Sequence, residues 1–468
     1  MVKKFNSKSG FISRVRILIL ILLLSPLYSN FFDPGENCIY SETGRTEIYF
    51  PLANGLKVYL WPNFNSPLST IVLAVKAGTV EENQETNGYL HLLEHCLLFR
   101  QNHLLIEKQL FSTIRNTGMY YNAHTDQDIM SFEVCLEEKN LEEALTLLKD
   151  IVFSFELTEE ALEKEKIVIC QEIKEIERDP LKVGLTKIYS SIFSSSSYGL
   201  PVYGQEKVIS QTTVSGLRDF YQKLFYPNNS ALVIIGNFNP NKIKEVINRI
   251  YSDLKPGPVK VKPAFVPSGS AVKYSQLEMR MKIPKTYLLA GWLGPSYNQP
   301  DAVPLELLVE ILGRGINPLL YGAFAGYPEL VSSLSLHYLS HEKAGLIFLS
   351  AVTSENNVST IKRLLQNFFL TLAEINYGLD DYPPGQQYLI IDFLQGGKNR
   401  IKWLAEKSLE EPILLGRALA KHLLIADESK SLNYLAAIGS QNSSDLRRVA
   451  REYLGKGKPV WLIIKPEK

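Results

Sequence analysis

His91, Glu94 and His95 fall within one five-residue stretch, His-Leu-Leu-Glu-His, and their types and spacing suit hydrolytic chemistry. On a helix, residues four apart lie about one turn apart and face the same way. Both imidazoles can then grip one metal ion, and the Glu94 carboxylate, three residues from His91, reaches a water on that metal. H-x-x-E-H is the inverse of H-E-x-x-H, in which two histidines bind zinc and the glutamate acts as general base. A simple pair of core histidines would leave the carboxylate between them unexplained, because buried polar groups need partners.

Two helices must position this chemistry. Thr86 or Asn87 is the expected N-cap of the first, and Gly88 leads into the apolar residues Tyr89, Leu90, Leu92, Leu93, Cys96, Leu97, Leu98 and Phe99. Catalytic zinc usually takes three protein ligands and keeps one position open for water. Residues 158–178 read as a long amphipathic helix, with Glu159 and Glu160 in its first turn suiting the dipole. Glu165 and Glu172 are seven apart and share one face. Spacing alone does not choose a third ligand among Glu163, Glu165, Glu172 and Glu175. His337 and His341 repeat the four-residue spacing, but they lie where 331–339 alternates like a strand. There, residues four apart are too far separated for the helical argument. Cys96 and Cys170 are close in sequence to His95 and Glu172, yet point away from the ligand face and read as buried thiols.

His91-Leu92-Leu93-Glu94-His95, followed by the segment from Glu165 to Glu172, resembles the pitrilysin/insulinase-type zinc peptidases. The likeness is strongest to short members similar to the mitochondrial processing peptidase β subunit. Ala77-Gly78-Thr79 with Glu81 resembles the segment before the zinc helix, and Asn122-Ala123-His124-Thr125 the N-A-x-T strand beside the active site. Tyr203-Gly204, Phe220-Tyr221, Tyr226-Pro227-Asn228-Asn229 and the run from Leu232 to Gly236 resemble the end of the first domain. The resemblance implies that Glu172, 77 residues beyond His95, is the third zinc ligand. Glu165 would be a carboxylate supporting the site, and one Zn2+ per chain is expected. The implied activity is endopeptidase hydrolysis of peptides or unfolded polypeptides, with Glu94 as general base. An extended substrate would add to the edge strand carrying Asn122 and Ala123.

The second half departs from the pattern. The resemblance implies Arg and Tyr residues there that help bind substrate and its carbonyl oxygen. In this chain Leu319, Ala325 and Ser332 stand at the aligned positions of two Arg residues and the Tyr, and no Arg lies between Arg314 and Arg363. Tyr327 and Tyr338 are the available substitutes. The resemblance implies a dimer, and the deficit favours as its other member a homologous sister subunit lacking the zinc motif, otherwise a second copy of this chain. The alternative is a non-catalytic binding or scaffold subunit of a peptidase-like heteromer.

With 468 residues, 45% of them hydrophobic, the chain is long enough for two or three folded domains. Fifty basic and 49 acidic residues give no electrostatic case for nucleic acid. Lys3, Lys4, Lys8, Arg14 and Arg16, then the apolar run 17–24, predict an export signal or N-terminal anchor over 1–29 and a bacterial periplasmic location. Strands are expected at 46–51, 56–61, 69–76, 128–136 and 231–236, and helices at 141–153 and 214–224. A zinc-bearing domain over 40–255 is followed by a proline-rich linker at 256–270 and a second domain over 271–468. In the second domain the element order repeats: strands near 276–292 and 331–353, helices at 303–312 and within 357–377, and a last strand at 460–464. The expected class is α+β, two homologous domains of mixed, largely antiparallel sheet packed with helices.

Overall fold

A computed structural model describes residues 47–98, 118–258, 276–314, 318–324, 326–381, 392–426 and 434–467. The expected leader at 1–29, most of the expected linker at 256–270, Cys38 and Ala325 lie outside these residues. The first half carries strands β1 (Ile48–Pro51), β2 (Lys57–Pro62), β3 (Ser69–Val75), β4 (Tyr120–Thr125), β5 (Met130–Leu136) and β6 (Ser230–Gly236). Its helices are α1 (Tyr89–Leu98), α2 (Leu141–Phe153), α3 (Glu159–Ile176), α4 (Pro180–Ile192), α5 (Val214–Tyr221) and α6 (Pro240–Tyr251). The second half carries β7 (Gln276–Met281), β8 (Thr286–Gly294), β9 (Ser333–Ser340), β10 (Gly345–Thr353) and β11 (Val460–Pro466). Among its helices are α7 (Ala302–Gly313), α8 (Val358–Thr371), α9 (Phe393–Ser408), α10 (Pro412–Ile425) and α11 (Ser443–Val449).

The sheets run β1-β2-β6-β3-β5-β4 and β7-β11-β8-β10-β9. Every neighbouring pair is antiparallel except β2 with β6 and β7 with β11. With β1 set aside, both halves follow one order: first, fifth, second, fourth, third. The α+β class with two homologous halves of largely antiparallel sheet is therefore visible in the topology itself. β3 and β6 are buried along their whole length. Ile71, Leu73, Leu232 and Ile234 join the core beneath α1 and α2, whereas Val72, Ala74, Val233 and Ile235 meet α10 on the opposite face. Coverage on both faces is why these strands read as unbroken apolar runs rather than alternating ones.

The halves exchange a helix. Val183, Ile188 and Ile192 of α4 pack on Leu289, Leu346 and Ile464 of the second sheet. Leu415, Ala418 and Leu419 of α10 pack on the first sheet. Burying Leu415 and Leu419 fully contributes about 1.5–3 kcal/mol each. Both helices begin at a proline and carry a glycine four residues later. A Cβ at Gly184 would fall 2.0 Å from Leu289 Cδ1, and one at Gly416 2.7 Å from Val72 Cγ2, so each glycine lets its helix lie close on the foreign sheet.

The elements expected from sequence include neither α4 nor α6, although both carry a start signal and Ile243, Val246, Ile247 and Ile250 recur with helical spacing in α6. Asp179 and Asn239 accept backbone N–H bonds from Leu181 (2.9 Å) and Asn241 (3.0 Å), and Pro180 and Pro240 take the first helical position.

Candidate metal centre

α1 turns Leu90, Leu92, Leu93, Cys96 and Leu97 into the first core, which leaves His91 and His95 on the wall facing α3. Their rings stand 5.0 Å apart, centroid to centroid, with planes at 89°. Glu172 of α3 meets both: its Oε2 lies 3.7 Å from His91 Nε2 and 3.6 Å from His95 Nε2. One ligand atom from each of the three falls within 4.8 Å of the others. A tetrahedral zinc with bonds of about 2.0–2.1 Å separates its ligand atoms by roughly 3.4 Å, so this donor set fits that ion. Burial narrows the choice that spacing left open. Glu163 faces solvent and pairs with Lys166 at 2.6 Å, Glu175 is exposed, and Glu165 and Glu172 turn inward.

Each histidine is also held from behind. His91 Nδ1 lies 3.2 Å from the Tyr203 carbonyl, and His95 Nδ1 lies 3.3 Å from Glu165 Oε2. A carbonyl can only accept, so His91 carries its proton on Nδ1 and presents a bare Nε2, the form that binds a metal. Burial, aided by neighbouring His95, holds His91 down at about 4 against the pull of Glu172. Burial also disfavours a charged His95, but hydrogen bonds to Glu165 and Glu172 outweigh it and push that ring up to about 10. For Glu172, burial works toward a higher value, but the bond to His95 and the charges of both rings hold the carboxyl below its usual range.

Glu94 points toward β4, where the Thr125 hydroxyl donates to its Oε2 at 2.5 Å. Among the described residues β4 closes one edge of the first sheet and pairs with β5 alone. Ala123 is buried on the α1 side, and half-buried Asn122 donates from Nδ2 to the Tyr120 hydroxyl at 3.1 Å.

The start of α1 differs from the expectation. Thr86 Oγ1 accepts from the Asn83 N–H, and Asn87 donates to Glu82, so neither side chain caps the helix. Buried Glu82 does so instead, accepting from Leu90 N at 2.8 Å, Gly88 N at 3.0 Å and Asn87 Nδ2 at 2.9 Å. Burial pushes its carboxyl up to about 7 despite these three donors. Lying seven residues before the first residue of the helix it serves, Glu82 escapes any local capping pattern. Replacing Glu82 with Ala leaves these donors unpaired and should lower stability by about 1–3 kcal/mol, read from the denaturant midpoint.

The second half offers little to this chemistry. Leu319 opens a short helix, and exposed Ser332 donates its backbone N–H to the Val352 carbonyl. Tyr338 is buried with its hydroxyl donating to the Pro295 carbonyl at 2.8 Å, and burial pushes it far above the usual tyrosine range. Tyr327 is exposed. His337, on β9, has Nδ1 3.0 Å from Arg314 Nη2, while His341 turns toward Asp128 and Tyr189. Cys96 is a buried thiol and Cys170 a half-buried one, neither of them in a disulfide among the described residues.

Residues 57–206 match the family described as Insulinase (Peptidase family M16), and residues 212–381 match Peptidase M16 inactive domain. The chain is 27% identical over 330 residues to an uncharacterized zinc protease of Rickettsia felis, covering 69% of this chain and 77% of that protein. It is 21% identical over 415 residues to a mitochondrial-processing peptidase subunit beta of Lentinula edodes, covering 86% of each. A solved protease structure from Helicobacter pylori aligns with a TM-score of 0.78 at 21% identity, over 90% of this chain and 100% of that one. At that identity the structural likeness speaks for the fold alone.

Proposed function

The chain belongs to the insulinase family of peptidases, and from that premise we propose that it is a zinc-dependent endopeptidase acting on peptides or unfolded polypeptides. The observation that carries this reading is the convergence of His91, His95 and Glu172 beside Glu94. One zinc ion per chain, held by those three residues, would supply a Lewis acid that acidifies water and polarises a carbonyl. The remaining work belongs to the chain itself. With Oε2 occupied by the Thr125 hydroxyl, Glu94 keeps Oε1 to take the proton of the attacking water and return it to the leaving amine. Glu165 fixes the His95 ring and the Tyr203 carbonyl fixes His91. The edge of β4, at Asn122 and Ala123 and unpaired among the described residues, suits an extended substrate added by backbone hydrogen bonds, an interaction that tolerates many sequences.

Elemental analysis of the purified chain tests the premise of the site. Wild type should carry about one zinc, and His95→Ala should lose it. Unchanged zinc in that variant would remove His95 from the ligand set. Because the His95 proton must leave before a cation enters, zinc uptake at pH 7 should release about one proton, and apparent affinity should weaken as pH falls.

A second reading has its own support. The second half lacks Arg over 315–362 and ties Tyr338 to Pro295, which favours either a binding subunit with a retained metal site or an enzyme completed by a partner. We favour the partner: a homologous subunit lacking the zinc motif, otherwise a second copy of this chain.

A further inference from the structure

The side chain that orients Glu94 comes from a strand rather than from Glu94's own helix. Thr125 ends β4 and, with Ala123, faces α1, so its hydroxyl reaches Glu94 Oε2 at 2.5 Å while its methyl group stays buried. The chain then enters the turn 126–129, which buried groups from both halves hold in place. Asp126 Oδ1 accepts from the N–H groups of Asp128 at 2.6 Å and Ile129 at 2.7 Å. Asp126 Oδ2 meets Lys421 Nζ of α10 at 2.8 Å. Asp128 accepts from the Tyr198 hydroxyl at 2.7 Å and the Glu342 N–H at 3.2 Å, and lies 3.4 Å from His341 Nδ1. Backbone bonds from Thr79 N to Asp126 O and from Val80 N to Gln127 O fix the other side of the turn. The matching turn of the second half, 341–344, thus sits against this one, and α10 closes over both aspartates.

We propose that Thr125 is a positioning residue for Glu94, and that the second half, through Lys421 and His341, holds the strand end from which Thr125 acts. This rests on the reading of Glu94 as general base. A carboxylate on a flexible side chain loses effectiveness when displaced by as little as about 1 Å, and one bonded oxygen fixes where the free oxygen points. The second half thereby contributes to catalysis through the strand end that it holds.

Thr125→Val keeps the β-branched shape and removes the donor, and Thr125→Ser keeps the donor. With an unstructured peptide as substrate, Thr125→Val should lower kcat by about 10- to 100-fold, with KM within about twofold and zinc content unchanged. Thr125→Ser should return to within about threefold of wild type. Full kcat in Thr125→Val, or no rescue by Thr125→Ser, overturns the role of Thr125. The pair Asp126→Asn with Lys421→Met removes both charges of the clamp and keeps the oxygen that closes the turn. It should lower kcat several-fold at constant zinc, and unchanged kcat removes the second half from the proposal. A readout independent of hydrolysis is the unfolding midpoint in a cycle of Thr125→Val and Glu94→Ala. Non-additive shifts support the contact, and additive shifts overturn it. Zinc-loaded wild type that cleaves nothing, alone or with its homologous partner, would instead overturn the endopeptidase reading, so the two failures are distinct.

Discussion

Protein carrying Glu94→Gln should bind zinc as wild type does and hydrolyse unstructured peptides at least about two orders of magnitude more slowly, the scale of a lost general base. Gln has nearly the shape of Glu, and its carbonyl oxygen can still accept from Thr125. What it cannot do is take a proton from water. None of His91, His95 and Glu172 is altered, so any fall in zinc content would point to a change in the site's shape rather than its chemistry. Elemental analysis beside turnover separates the two. Hydrolysis at the wild-type rate would reassign Glu94 to a structural part.

A second large effect is expected from a partner. Alone, the chain should cleave weakly. Combined with a homologous subunit that lacks H-x-x-E-H but carries Arg and Tyr in its second half, it should gain roughly two to three orders of magnitude, the usual worth of an oxyanion donor. Within this chain the aligned positions hold Leu319 and Ser332, which present no cation and no phenol. Tyr338 is tethered to Pro295 inside the second core, and 315–362 contains no arginine. The measurement is cleavage of peptides of about 10 to 30 residues by the purified chain, with and without the sister. Full turnover by a verified homodimer, unchanged by the sister, would defeat the idea and direct attention to exposed Tyr327.

The parts of this molecule legible in its sequence are those whose cause is local. The run from Leu141 to Phe153 repeats its apolar residues with helical period and forms α2 over those same residues. His91, Glu94 and His95 declare a common face because four-residue spacing fixes it wherever a helix forms. The third carboxylate was legible only as one of four, since spacing does not say which face of α3 is buried. Lys421 and Arg417 are less legible still. Charged side chains on a helix usually mark its solvent side, yet both are drawn inward by Asp126 and Glu133, whose positions lie almost 300 residues earlier. Glu82 escaped for the same kind of reason, because a cap reaching back across a loop has no fixed spacing.

The exchanged helices α4 and α10 bear on how such a chain can arise and be synthesised. A single half, translated alone, would present the apolar face of Val72, Ala74, Val233 and Ile235 with no helix of its own among the described residues to cover it. Its lone crossing helix would in turn have no foreign sheet to meet. The self-consistent form of such a half is a pair of copies trading that helix, a domain-swapped ancestor that duplication and fusion would turn into one polypeptide. Synthesis inherits a delay from this arrangement. The outer layer of the first sheet is not complete until residues 412–425 have emerged, roughly 340 residues after β3 was made, so the amino-terminal half waits on the ribosome with one apolar face bare.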